Sequence, residues 1–133
     1  MQGEFNERNL MTDPYAEASE KGFELQVQLT FPEAQPRAEV EDLLKPLSPL
    51  SARFYGEGDL VRTADLRGPL EREVLLERLG PLLEQVKYAE VGLRGFLKGP
   101  NGTDYVPWKR NTVLGKADLE RLELEEGVKY VLE

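Results

Sequence analysis

The chain has 133 residues, 40% of them apolar, and carries 25 acidic against 17 basic side chains for a formal net charge of −8. That length suits one core able to stand without metal or disulfide support. The absence of both cysteine and histidine excludes disulfide frameworks, thiolate zinc sites, thiol nucleophiles and the usual histidine-based triads and dyads.

Residues 1–21 show neither helical nor strand period and mix Asn, Asp-Pro and Ala-Ser, with Glu4, Glu7, Asp13, Glu17 and Glu20 against Arg8 and Lys21. They read as a flexible acidic tail ahead of one α+β domain spanning residues 22–133. From Phe23 the pattern changes. Phe23, Leu25, Val27, Leu29 and Phe31 alternate with polar residues, which predicts a half-buried strand that Pro32 should end.

Pro36 suits a first helical position, and Val40, Leu43, Leu44 and Leu47 recur at helical spacing, predicting a short amphipathic helix limited by Pro46 and Pro49. Residues 51–55 and 60–66 read as strands joined by Gly56-Glu57-Gly58-Asp59, a hairpin. Leu70, Val74, Leu76, Leu79, Leu83 and Val86 then mark a second helix, in which Gly80-Pro81 predicts a kink or break because Pro81 has no N–H to donate. Residues 88–98 return to period two, with Ala89, Val91, Leu93 and Leu97 on one side.

The order strand, helix, strand, strand, helix, strand resembles the split βαβ arrangement of ferredoxin-like domains, with both helices on one face of an antiparallel sheet. That resemblance covers roughly residues 23–98 and implies nothing about activity. Beyond it, Gly99-Pro100-Asn101-Gly102 predicts a turn into a further strand at residues 103–106. A short helix over 116–122 and a last strand over 128–132 complete a C-terminal extension.

Several residue groups invite a chemical reading. Glu57 and Asp59 form a carboxylate pair, but turns favour such residues for backbone reasons. Gly56-x-Gly58 lacks the remaining features of a phosphate loop. Glu120, Glu123, Glu125 and Glu126 lack the spacing of a calcium loop and read as a solvated face. No catalytic residue, metal site or cofactor is expected.

The most distinctive chemistry is Tyr105-Val106-Pro107-Trp108-Lys109-Arg110, which sets the only tryptophan beside two cations in an expected loop. Trp and Arg dominate protein interfaces, and proline lowers the entropy cost of ordering a loop. Arg94 and Lys98, with Lys116, are expected to extend the basic patch. Set against this stands the favoured reading, in which Trp108 plugs the end of the core while Lys109 and Arg110 face water. The sheet face away from the helices offers a second surface through Gln26, Gln28, Arg53 and Arg94, without the stacking aromatics of an RNA-binding sheet.

These features suggest a non-enzymatic regulatory or accessory protein, an acidic inhibitor or adaptor that binds a basic-surfaced protein partner such as a nucleic-acid-processing complex. A nucleic-acid-binding module using the Trp108 loop is the first alternative, disfavoured by the acidic charge. A small-ligand-binding domain or carboxylate enzyme is the second. No apolar run approaches the roughly 20 residues of a membrane span, residues 1–10 are polar rather than signal-like, and a cytoplasmic, thermophile-like protein is expected.

Overall fold

The computed structural model describes residues 20–133. They form an α+β structure: a seven-stranded open sheet with two α-helices and two short 3-10 segments. Strand β1 spans Glu20–Pro36, helix α1 Arg37–Leu44, β2 Ser51–Glu57 and β3 Leu60–Gly68. Helix α2 spans Arg72–Leu83, β4 Tyr88–Gly99, β5 Gly102–Tyr105, β6 Arg110–Leu114 and β7 Val128–Leu132. A 3-10 turn at Lys45–Leu47 extends α1, and another occupies Lys116–Arg121.

The strand order is β2-β3-β1-β4-β7-β6, with β5 paired to the same edge of β4 as β7. All neighbours run antiparallel except β6 and β7, which are parallel. The alternating residues of β1 explain its central place. Leu25, Val27, Leu29 and Phe31 are buried, while Glu24, Gln26, Gln28 and Thr30 lie on the opposite, open face. Each buried aliphatic side chain contributes about 1.5–3 kcal/mol, so a one-residue slip in register would forfeit the whole set.

Val40, Leu44 and Leu47 from the α1 region meet this row, together with Leu75, Leu79, Leu82 and Leu83 of α2. The same buried cluster takes in Leu119, Leu122, Leu124, Val128, Tyr130 and Leu132. The C-terminal segment thus adds strands to the sheet and apolar side chains to the core.

Three expectations are corrected. β1 does not stop at Pro32. Its ladder with β4 ends at Thr30, and its ladder with β3 resumes at Gln35 only after a register shift, so Pro32 falls where no ladder N–H is required. Nor does Pro81 break α2, which runs on to Leu83; so near the C-terminus, the missing N–H removes only a bond of the last turn. Glu20 and Lys21, assigned to the tail, are already paired with Lys98 and Leu97 in β1. The rest of the expected tail, residues 1–19, lies outside the described residues.

Strand β6 was not expected, since residues 110–111 read as loop. Its sequence Arg-Asn-Thr-Val-Leu has little apolar alternation, and a parallel partner supplied from far along the chain decides its conformation. Among the described residues, no helix is long and apolar enough to cross a membrane.

Candidate interaction face

The open face of the sheet carries a polar row. Across the central strands, Arg67, Gln26 and Gly92 stand side by side in register, as do Asp65, Gln28 and Glu90. Lys129 of β7 stands beside Gly92 and bonds Glu90 with Nζ to Oε1 at 3.0 Å. Asp65 accepts from Arg67 at 3.2 Å, and Glu24 accepts from the Gln26 amide at 3.1 Å. Gln26, Gln28, Asp65, Arg67, Glu90 and Lys129 line a shallow hollow of about 330 Å³ whose wall includes Arg94 and Trp108.

Trp108 reaches this face because of how the chain leaves β5. The Val106 N–H donates to the Gly95 carbonyl at 2.9 Å, and the Lys109 N–H donates to the Gly127 carbonyl at 2.8 Å. Between those fixed points the backbone crosses from the β4 edge to the outer side of β7. The indole is laid over Gly92, where a β-carbon would stand 2.7 Å from both its Cη2 and Cζ3 atoms. The ring fits because the position opposite it has no side chain.

Arg94 sits between the loop aromatics. Its guanidinium carbon lies 5.4 Å from the Trp108 ring centre and 5.4 Å from that of Tyr105, and its Nε donates to the Val106 carbonyl at 3.1 Å. Arg67 covers Tyr105 as well, at 5.0 Å. Its pKa is raised above the ordinary arginine value, by hydrogen bonding toward Tyr105 first and by Asp65 in addition, with partial burial opposing. The result is two guanidinium planes stacked on two aromatic rings, each contact worth about 0.5–1 kcal/mol where exposed and more where desolvated.

No family model matches the chain, and neither a curated protein nor a solved structure shows significant similarity.

The residues singled out from sequence divide into two groups. Tyr105, Trp108 and Arg94 come together, and they do so on the face that also presents Gln26 and Gln28, merging two surfaces expected to be separate. The open face therefore does have an aromatic pair, supplied by Tyr105 at the end of β5 and Trp108 in the loop after it rather than by central strands. Trp108 is half-buried and sits outside the buried cluster, so it does not plug the core.

The basic patch, by contrast, is broken up. Arg110 grips Glu125 through two bonds of 3.0 and 3.3 Å, and Lys109 stands 3.9 Å from the same carboxylate. Lys116 donates to the Val86 carbonyl at 2.7 Å, beyond the cluster. Lys98 lies near the far end of β4, opposite Glu20 and Thr103. Arg53 is exposed on β2, opposite Asp65.

Glu57 and Asp59 flank a turn in which Gly58 takes φ of 58°, and the Asp59 carbonyl accepts from the Arg37 N–H at 2.8 Å. That is the backbone role turn chemistry predicts. Arg67, Asp65, Glu90 and Lys129 were missed as site residues. The available signal was Gly92 inside a strand of period two, since glycine there marks a close approach by another group.

Proposed function

We propose that the protein is a non-enzymatic regulatory or accessory factor that binds a protein partner through the open sheet face, with Arg94, Tyr105 and Trp108 as the anchor. The observation that supports this most is the stacked guanidinium of Arg94. Its terminal nitrogens have no carboxylate within ion-pair distance among the described residues, whereas Arg67 and Lys129 are each paired. A preorganised, half-desolvated arginine flanked by aromatics is what interface hot spots are made of. A carboxylate on the partner completes it by a bidentate bond.

The molecule as a whole is acidic, with a formal net charge of −8 and with exposed Glu39, Glu41, Asp42, Glu73 and Glu77 on the two helices, on the side away from the anchor. A net charge of this sign attracts a basic-surfaced partner at long range before the anchor engages, in keeping with an acidic inhibitor or adaptor in the cytoplasm. We also read β1–α1–β2–β3–α2–β4 as a split βαβ unit of ferredoxin-like type, on the support of its antiparallel order β2-β3-β1-β4.

A second reading, single-stranded nucleic acid, draws on Trp108 and Tyr105 as stacking platforms. It is weakened by Glu125, which engages the two cations that would otherwise meet phosphates. One experiment separates the two. Affinity capture at physiological salt is expected to retain a stoichiometric protein partner on the wild-type chain and to lose it at least tenfold with Arg94→Ala or Trp108→Ala. Equal retention by wild type and both variants sinks the anchor. Tryptophan fluorescence that shifts on titration with single-stranded oligonucleotides, steeply dependent on salt, transfers the case to nucleic acid.

A further inference from the structure

Strand β2 forms one side of the sheet and pairs with β3 alone, so its outer N–H and C=O groups have no ladder partner among the described residues. Such an edge is a template for another strand unless something blunts it. Lysine, proline and a bulge of its own, three of the common devices, are missing here. Ser51-Ala52-Arg53-Phe54-Tyr55-Gly56-Glu57 contains no lysine and no proline, and the irregularity in its ladder is taken up by Arg62 of β3, which is skipped between Thr63 and Val61. β2 itself stays continuous.

Its two charges are of opposite sign. Arg53 and Glu57 are both exposed and form no ion pair among the described residues. Period two places Arg53, Tyr55 and Glu57 on one side of the strand. Of the four most exposed large hydrophobic side chains among the described residues, Tyr55 at 49% and Leu60 at 47% both belong to this hairpin. On the helix side, Leu44, Leu50, Ala52, Phe54 and Leu66 line a groove of about 390 Å³ beside the same strand.

We infer that β2 pairs antiparallel with β2 of a second copy of this chain, about a twofold axis through the Tyr55 pair. In that register Arg53 of each copy faces Glu57 of the other, and the two Tyr55 rings meet as a cross-strand pair. Phe54 of each copy lies against Gly56 of the other, an aromatic over a glycine. The surface is self-complementary, as a twofold interface must be.

Two other strands also pair on one side only, β5 and β6, and both fail this test: β5 carries Asp104 as its single charge and so offers no complementary pair. Antiparallel self-pairing of β6 about Thr112 sets Arg110 opposite Leu114, and Arg110 is already held by Glu125. Charge thus selects β2. The two copies repel at long range, since each carries −8, and added salt screens that repulsion. The pairing is therefore a reversible one, set by concentration.

Sedimentation equilibrium on the full chain over about a hundredfold range of concentration tests the idea. The mass is expected to climb from one protomer to two. Arg53→Glu and Glu57→Arg, each placing like charges opposite one another, are each expected to weaken dimerisation about tenfold, and the double variant R53E/E57R to recover it, because the pair is restored with its signs exchanged. A wild-type chain that stays a single protomer throughout, single variants that dimerise as wild type does, or a double variant as weak as the singles would each overturn the proposal.

Discussion

A methyl group at position 92 has no room. Its carbon would stand 2.7 Å from two atoms of the Trp108 ring and 2.7 Å from the Val128 carbonyl, so the indole must lift off the face and β7 must also give way at Val128. Backbone in a ladder yields less readily than a half-buried ring, and the larger movement is expected in the ring. Gly92→Ala should therefore cost about 1–3 kcal/mol, the usual range for overpacking, and shift tryptophan emission to longer wavelength as water reaches the indole. Urea unfolding measures the first and a fluorescence spectrum the second; unchanged emission would show that Trp108 does not rest on this glycine. Arg94 loses one stacked ring in the same variant, so the change also tests whether the anchor is a property of the arginine alone or of the pair.

At the scale of elements, the β2–β3 hairpin depends on a second close approach. A β-carbon on Gly56 would stand 2.0 Å from the Leu60 carbonyl oxygen, a clash with backbone that no side-chain rotation relieves. Gly56→Ala is expected to open the last pairs of the hairpin, Gly56 with Val61 and Glu57 with Leu60, at a cost of at least about 1–3 kcal/mol. Hydrogen exchange is the appropriate readout, with protection lost at the hairpin tip and retained in β4; intact protection at the tip would contradict the geometry.

Elements of this kind were partly legible in the sequence. The alternation of β1, the Val40–Leu44 stripe, the hairpin and β4 were readable because each side chain's fate is fixed by a local period. What escaped was decided at a distance. Helix α2 presents Leu75 and Leu82 as well as Leu79 and Leu83 to the core, whereas the stripe expected from sequence ran through Val74 and Leu76, which are only partly buried. β6 exists because β7 offers it a parallel ladder, and Pro32 is tolerated because β4 has stopped pairing before it. The site was half legible for the same reason: composition marked Trp108 and Arg94, while their meeting on the open face depends on a chain crossing pinned at Gly95 and Gly127.

For the whole molecule, the question is whether residues beyond β4 fold with the rest. Their strands join the same sheet through β4, and their apolar side chains join the same cluster as Leu29 and Leu79. Leu29 and Leu132 are both fully buried, one in the centre of the sheet and the other on β7. A sheet and core shared in this way leave no seam at which one part opens while the other persists, so unfolding in urea is expected to be a single transition. Trp108 reports the C-terminal crossing and far-ultraviolet circular dichroism reports the entire sheet, and their midpoints and slopes should coincide. Leu29→Ala and Leu132→Ala should each remove about 2–5 kcal/mol, in the range of buried leucine truncations, and each should move both signals together. Fluorescence that melts ahead of the dichroism, or a Leu132→Ala variant that displaces only the fluorescence, would mean that the C-terminal strands are an appendage whose loss the first four strands survive. The open face would then be assembled only when that appendage is docked, because Trp108, Tyr105 and Lys129 all arrive with it.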